Sequence, residues 1–117
     1  MALRSTRKAS GKNHELAIGL VRLHVLHHAA EEPIFGLGMI EELGRHGYRL
    51  GPGMMYPLLH GMEERGWLRA GWELVDGRRR KTYKATTAGK KALAVARERV
   101  RELYEEMFEE GKERGHS

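Results

Sequence analysis

Asp76-Gly77 is the dipeptide that most restricts how this chain can fold. Both residues tolerate positive φ, as the central positions of a two-residue hairpin turn require. Before it, Leu68, Ala70, Trp72 and Leu74 alternate with more polar neighbours, the period of a strand with one apolar face. After it comes a return strand, about residues 80–86, carrying Tyr83 and Ala85. Arg78, Arg79, Arg80 and Lys81 follow the turn without a break, so four like charges crowd one bend. A solvated turn could carry such a run, but a polyanion would relieve its repulsion.

The flanking segments have helical periodicity. Residues 14–30 predict a helix with Leu16, Leu20 and Leu23 on one face and Ile18, Val25 and Leu26 beside them. An apolar arc that wide indicates burial on more than one side. Residues 36–46 predict a short second helix with Met39, Ile40 and Leu43 inward and Gly47 as its stop. Pro52 suits the first turn of a third helix, capped by Gly51 and closed by Gly66. Its inward stripe is Met55, Leu58, Leu59 and Met62, and Pro57 falls early enough to be tolerated. Thr86 caps a long last helix over about 87–111. There Leu93, Ala96, Val100, Leu103 and Met107 step by three and four, a heptad seam.

The chain of 117 residues suits one domain. Its formal charge is +5 and its pI about 9.7, which favours an acidic partner, nucleic acid first. Charge is unevenly spread: seven of the 16 acidic residues fall between Glu98 and Glu113, and the cations concentrate in the N-terminus and in residues 78–84. Cysteine is absent, which excludes disulfides and thiolate metal sites and fits a cytoplasmic, nucleoid-associated protein. No apolar run reaches the length of a membrane span, about 18 residues. Catalysis finds no support. The only aspartate is Asp76 in the turn, the serines are Ser5, Ser10 and Ser117, and no glycine-rich phosphate loop follows a strand. No cofactor is implied. His24 and His28 share a helix face, a spacing able to hold a metal, with His27 beside them. No third ligand stands in an obvious pattern, so they read as structural or interface histidines, with metal, haem or pH sensing as the alternatives.

Helix, helix, turn, helix, hairpin, helix is the order of a winged helix-turn-helix, a mainly α (α+β) fold with a long C-terminal dimerisation helix. The chain then divides into a disordered basic arm (1–13), a DNA-binding domain (14–86) and the dimerisation helix (87–112). In such a motif the later helix enters the major groove and the hairpin is a wing that touches backbone or minor groove. The third helix offers Tyr56 and, one turn on, His60. The wing offers Arg78, Arg79, Arg80 and Lys81, with Tyr83 divided between core and contact, whereas Trp72 is expected to pack between wing and helices.

Phe35-Gly36, Leu50, Pro52-Gly53, Tyr56-Pro57-Leu58-Leu59, Gly66, Arg79-Arg80-Lys81, Tyr83, Thr86 and Gly89 together resemble the PadR family of bacterial transcriptional regulators, in its smaller subgroup with a short last helix. The resemblance covers about residues 14–105. It implies a homodimer on double-stranded DNA with a palindromic operator, built from the first and last helices through Leu16, Leu20, Leu93, Ala96, Val100, Leu103 and Met107. It implies DNA contacts by the start of the third helix, Pro52, Gly53 and Met54, and a hydroxyl–phosphate contact by Tyr56. It also implies repression relieved by a small aromatic effector, for which Val100, Tyr104 and Phe108 are the candidate pocket. Met54, Gly51 and Gly61 stand where the family carries Thr, Ser and a basic or polar residue, so few side chains can read base edges and weight shifts to the wing and to DNA shape. Some small members stack flat drugs on a tryptophan of the last helix, and Val100 holds that place here. The competing reading is a winged-helix module that binds protein or ligand without sequence-specific DNA recognition.

Overall fold

The computed structural model describes residues 2–109. Helix α1 runs Ala2–Glu31, α2 Gly36–Arg45 and α3 Pro52–Glu64. Strands β1, Leu68–Val75, and β2, Arg78–Ala85, pair antiparallel, and α4 spans Thr87–Tyr104 before a π-helical turn at Glu105–Glu109. Among the described residues no helix is long and apolar enough to cross a membrane.

Helix α1 differs from expectation at its start. Its backbone is helical from Ala2, through the stretch assigned to a disordered arm. Intrinsic propensity permits this: Ala2, Leu3, Arg4, Arg7, Lys8, Ala9 and Lys12 are good helix formers, and the stretch contains no proline. At the other end of the chain, regular α-helix stops at Tyr104, and residues 110–112 of the expected dimerisation helix lie outside the described residues.

Both helices of the helix-turn-helix end in the same way. Gly47 and Gly66 have φ of 91° and 80°, values that only glycine adopts without strain. Each lets the next amide reach back, Tyr48 N–H to Leu43 O and Trp67 N–H to Met62 O, both 3.0 Å. These are Schellman closures, which satisfy carbonyls at the helix end. The hairpin turn is built as the sequence predicts, with Asp76 at φ 52° and Gly77 at φ 76° between the paired residues Val75 and Arg78.

One core joins the first three helices and the hairpin, with Ala92 and Leu93 of α4 packed partly against it. Val21, Val25, Leu26 and Ala29 of α1 meet Met39 and Leu43 of α2, Met55, Leu58, Leu59 and Met62 of α3, and Leu68 and Ala85 from the root of the hairpin. A contact invisible to periodicity completes it. Ile34, in the link between α1 and α2, forms an antiparallel bridge to Tyr83, with bonds of 2.9 and 2.7 Å. This bridge carries β2 against the link and takes the Tyr83 side chain into the core, 1% exposed. Tyr83 is therefore a packing residue and not a DNA contact.

Candidate nucleic-acid interface

Helix α3 presents its outer face through residues that the inward stripe leaves over. Pro52, Gly53, Met54, Tyr56 and His60 are all exposed, while Met55, Leu58, Leu59 and Met62 are buried. The Tyr56 ring lies against the backbone of Gly36, where a Cβ would come within 2.5 Å of the ring. Gly36 thus gives Tyr56 a fixed seat on α2, with the side chain 36% exposed. The face is poor in hydrogen-bonding groups. At the helix start the amides of Met54 and Met55 already donate to Gly51 O, at 3.1 and 3.0 Å, which narrows the donors available there.

The wing's register sorts its cations by face. Leu68, Ala70, Trp72 and Leu74 lie directly opposite Ala85, Tyr83, Lys81 and Arg79. At the root this face is core; at the tip it projects beyond the core. Trp72 is consequently exposed, at 59%, and not packed between wing and helices as expected. The Arg79 guanidinium covers its indole, 4.5 Å from the ring centroid, a cation–π arrangement. The other face pairs Glu73 with Arg80 and Val75 with Arg78. Arg80 donates to the Glu73 carboxylate at 2.8 Å, and its guanidinium carbon sits 3.6 Å from the Phe35 ring centroid. Four cations that look equivalent in sequence are thus held differently: Arg78, Arg79 and Lys81 are exposed, whereas Arg80 is half-buried and bound within the subunit.

Away from the wing, a groove of about 790 Å³ separates α1 from α4. Leu20, Leu93, Ala96, Val100 and Tyr104 give it apolar walls, and His24, His27, Glu31, Arg97 and Arg101 line it with polar ones. Of the candidate effector residues, Val100 and Tyr104 line the groove and Phe108 does not; Phe108 leans on Tyr104 at 5.0 Å between ring centroids. Of the candidate interface residues, Leu93 packs partly against the core of the chain itself. Leu16, Leu20, Val100, Leu103 and Met107 are exposed, and Ala96 is half-buried.

The histidines tie α1 to α2. His24 lies against His46 and Tyr48, with ring centroids 4.9 and 5.4 Å away, and Glu42 receives Arg45 at 2.6 Å, His46 at 3.2 Å and His28 at 3.7 Å. Sequence reasoning singles out His24, His27 and His28 but misses His46 and Glu42, which reach the cluster from the other helix. No group of three or more His, Asp or Glu side chains among the described residues is arranged to hold a metal ion.

Burial, then the neighbouring His46, His28 and His27, holds the His24 pKa below its ordinary 6.5. The hydrogen bond from His46 holds Glu42 below the ordinary 4.5. The two shifts have the same consequence. Above about pH 6.5 His24 is neutral in folded and unfolded chains alike; below it the unfolded chain takes the proton first, so stability falls until the lowered folded pKa is passed. Glu42 repeats this below its own unfolded value. The melting temperature is therefore expected to drop between about pH 7.5 and 5.5, and His24→Phe, which keeps a ring against His46, is expected to flatten that drop. Differential scanning fluorimetry across this range checks it; equal slopes in parent and variant would refute it.

Residues 25–95 match the model of the transcriptional regulator PadR-like family. The chain is 48% identical over 88 residues to the transcriptional regulator Rv3488 of Mycobacterium tuberculosis, covering 75% of this chain and 82% of that protein. Its fold is similar to that of a PadR family transcriptional regulator from Eggerthella lenta, with a TM-score of 0.72 and 25% identity over 90% of this chain and 93% of the other. A Streptococcus transcriptional regulator shares the fold at a TM-score of 0.73 and 24% identity, covering 84% of this chain and 96% of that one.

Proposed function

The chain belongs to the PadR-like family of transcriptional regulators, and from that premise we propose that it is a homodimeric repressor, cytoplasmic and nucleoid-associated, released from a palindromic operator by a small aromatic effector. The 14–86 unit reads DNA and the last helix dimerises. Helix α3 enters the major groove with Tyr56 and His60 outward, and the wing takes phosphates. The carrying observation is the pairing of an exposed cationic wing with an exposed apolar seam on the first and last helices. Val100, Leu103 and Tyr104 on α4, Met107 in the π-helical turn that follows it, and Leu16 and Leu20 on α1 are uncovered in the single chain, a surface that a second copy would bury. The α1–α4 groove supports the effector: apolar walls suit a flat ring, and Arg97 and Arg101 suit an acidic substituent on it. Filling it would alter the spacing of the two recognition helices, coupling effector to operator.

The competing module reading draws on α3, where Met54 and Gly61 leave little to read bases with. A salt titration of binding to a duplex from the protein's own promoter region, against random duplex, separates the two. The repressor reading expects a promoter preference that persists as both affinities fall; no preference at any salt concentration would sink it. In the same assay Arg78→Ala/Arg79→Ala/Arg80→Ala is expected to shallow the salt dependence, by about 0.9 in log–log slope for each phosphate that the wing no longer neutralises. An unchanged slope would remove the wing from the binding surface.

A further inference from the structure

Resting on the DNA-binding reading above, we propose that the Trp72 face of the wing meets DNA, with Trp72 and Leu74 as apolar groove contacts flanked by Arg79 and Lys81, while Arg80 takes no phosphate. Trp72 and Leu74 are 59% and 71% exposed, two large apolar side chains on one strand face where solvent is the alternative neighbour. Their residence there has a geometric origin: the alternation that buries Leu68 and half-buries Ala70 continues two steps past the edge of the core. Around them the register places only cations. Lys81 lies opposite Trp72 and Arg79 opposite Leu74, and no acidic residue occupies any register position of that face.

The Arg79–Trp72 stack matters in two ways. It fixes a flexible guanidinium over an aromatic plane, so less rotamer freedom is lost when the charge meets a phosphate. It also keeps the indole beside a cation, the composition of side chains that line a nucleic-acid groove, where apolar wedges and arginines act together. Charge complementarity selects duplex DNA over an apolar protein patch as the occupant, because a protein surface would have to desolvate Arg79 and Lys81 as well. The opposite face lacks this character. There Glu73 neutralises Arg80 at 2.8 Å and Phe35 covers its guanidinium, so a phosphate would have to displace a carboxylate already in place. The basic run therefore has one member that braces the wing against the Phe35 link and others that face outward.

The chain has two tryptophans, Trp67 and Trp72. The emission that disappears on going from wild type to Trp72→Phe is thus that of Trp72, and Trp72 is exposed, so the replacement is not expected to disturb folding. On adding a duplex from the protein's own promoter region, with binding followed independently by anisotropy of labelled DNA, Trp72 emission and its accessibility to acrylamide should both fall, while the Trp67 emission of Trp72→Phe stays constant. Trp72→Ala should weaken binding about ten-fold with the salt slope unchanged, as for an apolar contact. Arg79→Ala should reduce affinity and slope together, and Arg80→Ala should lower the melting temperature and leave the slope as it was. Duplex binding by the parent with unaltered Trp72 emission, or an Arg80→Ala variant that loses slope as Arg79→Ala does, would overturn the assignment of the face and leave the repressor reading standing. A change in Trp72 emission with protein concentration alone would give the face to a second copy of the chain and overturn it too. Absence of any duplex binding by the parent would remove the DNA-binding reading itself, and this inference with it.

Discussion

Gly89→Ala is expected to cost about 3 kcal/mol and to lower the melting temperature by on the order of 10–15 °C. A Cβ built on Gly89 lies 2.2 Å from the carbonyl oxygen of Trp67 and 3.0 Å from its carbonyl carbon. The obstacle is main chain, so no rotamer change relieves it. Nor can the Trp67 peptide move alone. Its amide closes α3 onto Met62 O, and its carbonyl accepts the Thr86 amide at 3.0 Å. Thr86 adds to the knot: its hydroxyl donates to Gly66 O and accepts from the Gly89 amide at 3.0 Å, capping α4. The end of α3, the start of β1 and the first turn of α4 therefore share one set of backbone groups. A methyl at Gly89 has to lift α4 from the hairpin root. Thermal unfolding followed by circular dichroism measures the loss; a variant melting within about 3 °C of the parent would show that α4 can tilt without cost.

The elements with local causes are legible in the sequence. Asp76-Gly77 fixes the hairpin, Gly47 and Gly66 mark two helix ends, Gly51-Pro52 marks a start, and the stripe Met55, Leu58, Leu59, Met62 chooses the buried face of α3. The sites are less legible because their surroundings are assembled from distant segments. Tyr83 and Trp72 lie on one face of the hairpin, and periodicity assigns both to that face correctly. It cannot say where along the strand the core stops, so it leaves the buried tyrosine divided between core and contact and groups the exposed tryptophan with the packing. The bridge from Ile34 decides Tyr83, and Ile34 lies in a link with no periodic signal. Arg80 is a similar case. Its partners Glu73 and Phe35 come from the opposite strand and from before α2, so only the register reveals that one cation of "GRRRK" is held within the subunit. A cross-strand reading from the Asp76-Gly77 turn would have paired Glu73 with Arg80 in advance, since a two-residue loop sets register. The Phe35 contact had no such route.

Val100→Glu/Leu103→Glu is expected to leave a folded monomer whose affinity for its own promoter duplex is lower by on the order of 10²–10⁴. Both residues are exposed in the single chain, at 47% and 53%, so glutamate there meets water and not the core. Glutamate is also a good helix former, so α4 has no intrinsic reason to unwind. In the proposed dimer the same positions face a second copy. Each glutamate would then lose its solvation opposite an apolar seam, and a two-fold interface carries every added charge twice. Loss of the dimer separates the two recognition helices, and the second half-site is no longer bound at the effective concentration set by the first. Light scattering coupled to size exclusion reads the mass, circular dichroism confirms helix content, and anisotropy reads the affinity. A variant that remains dimeric would remove the α4 seam from the interface. One that becomes monomeric with parental affinity would show that a single α3 and wing suffice for DNA, and would break the link between the α1–α4 groove and operator release.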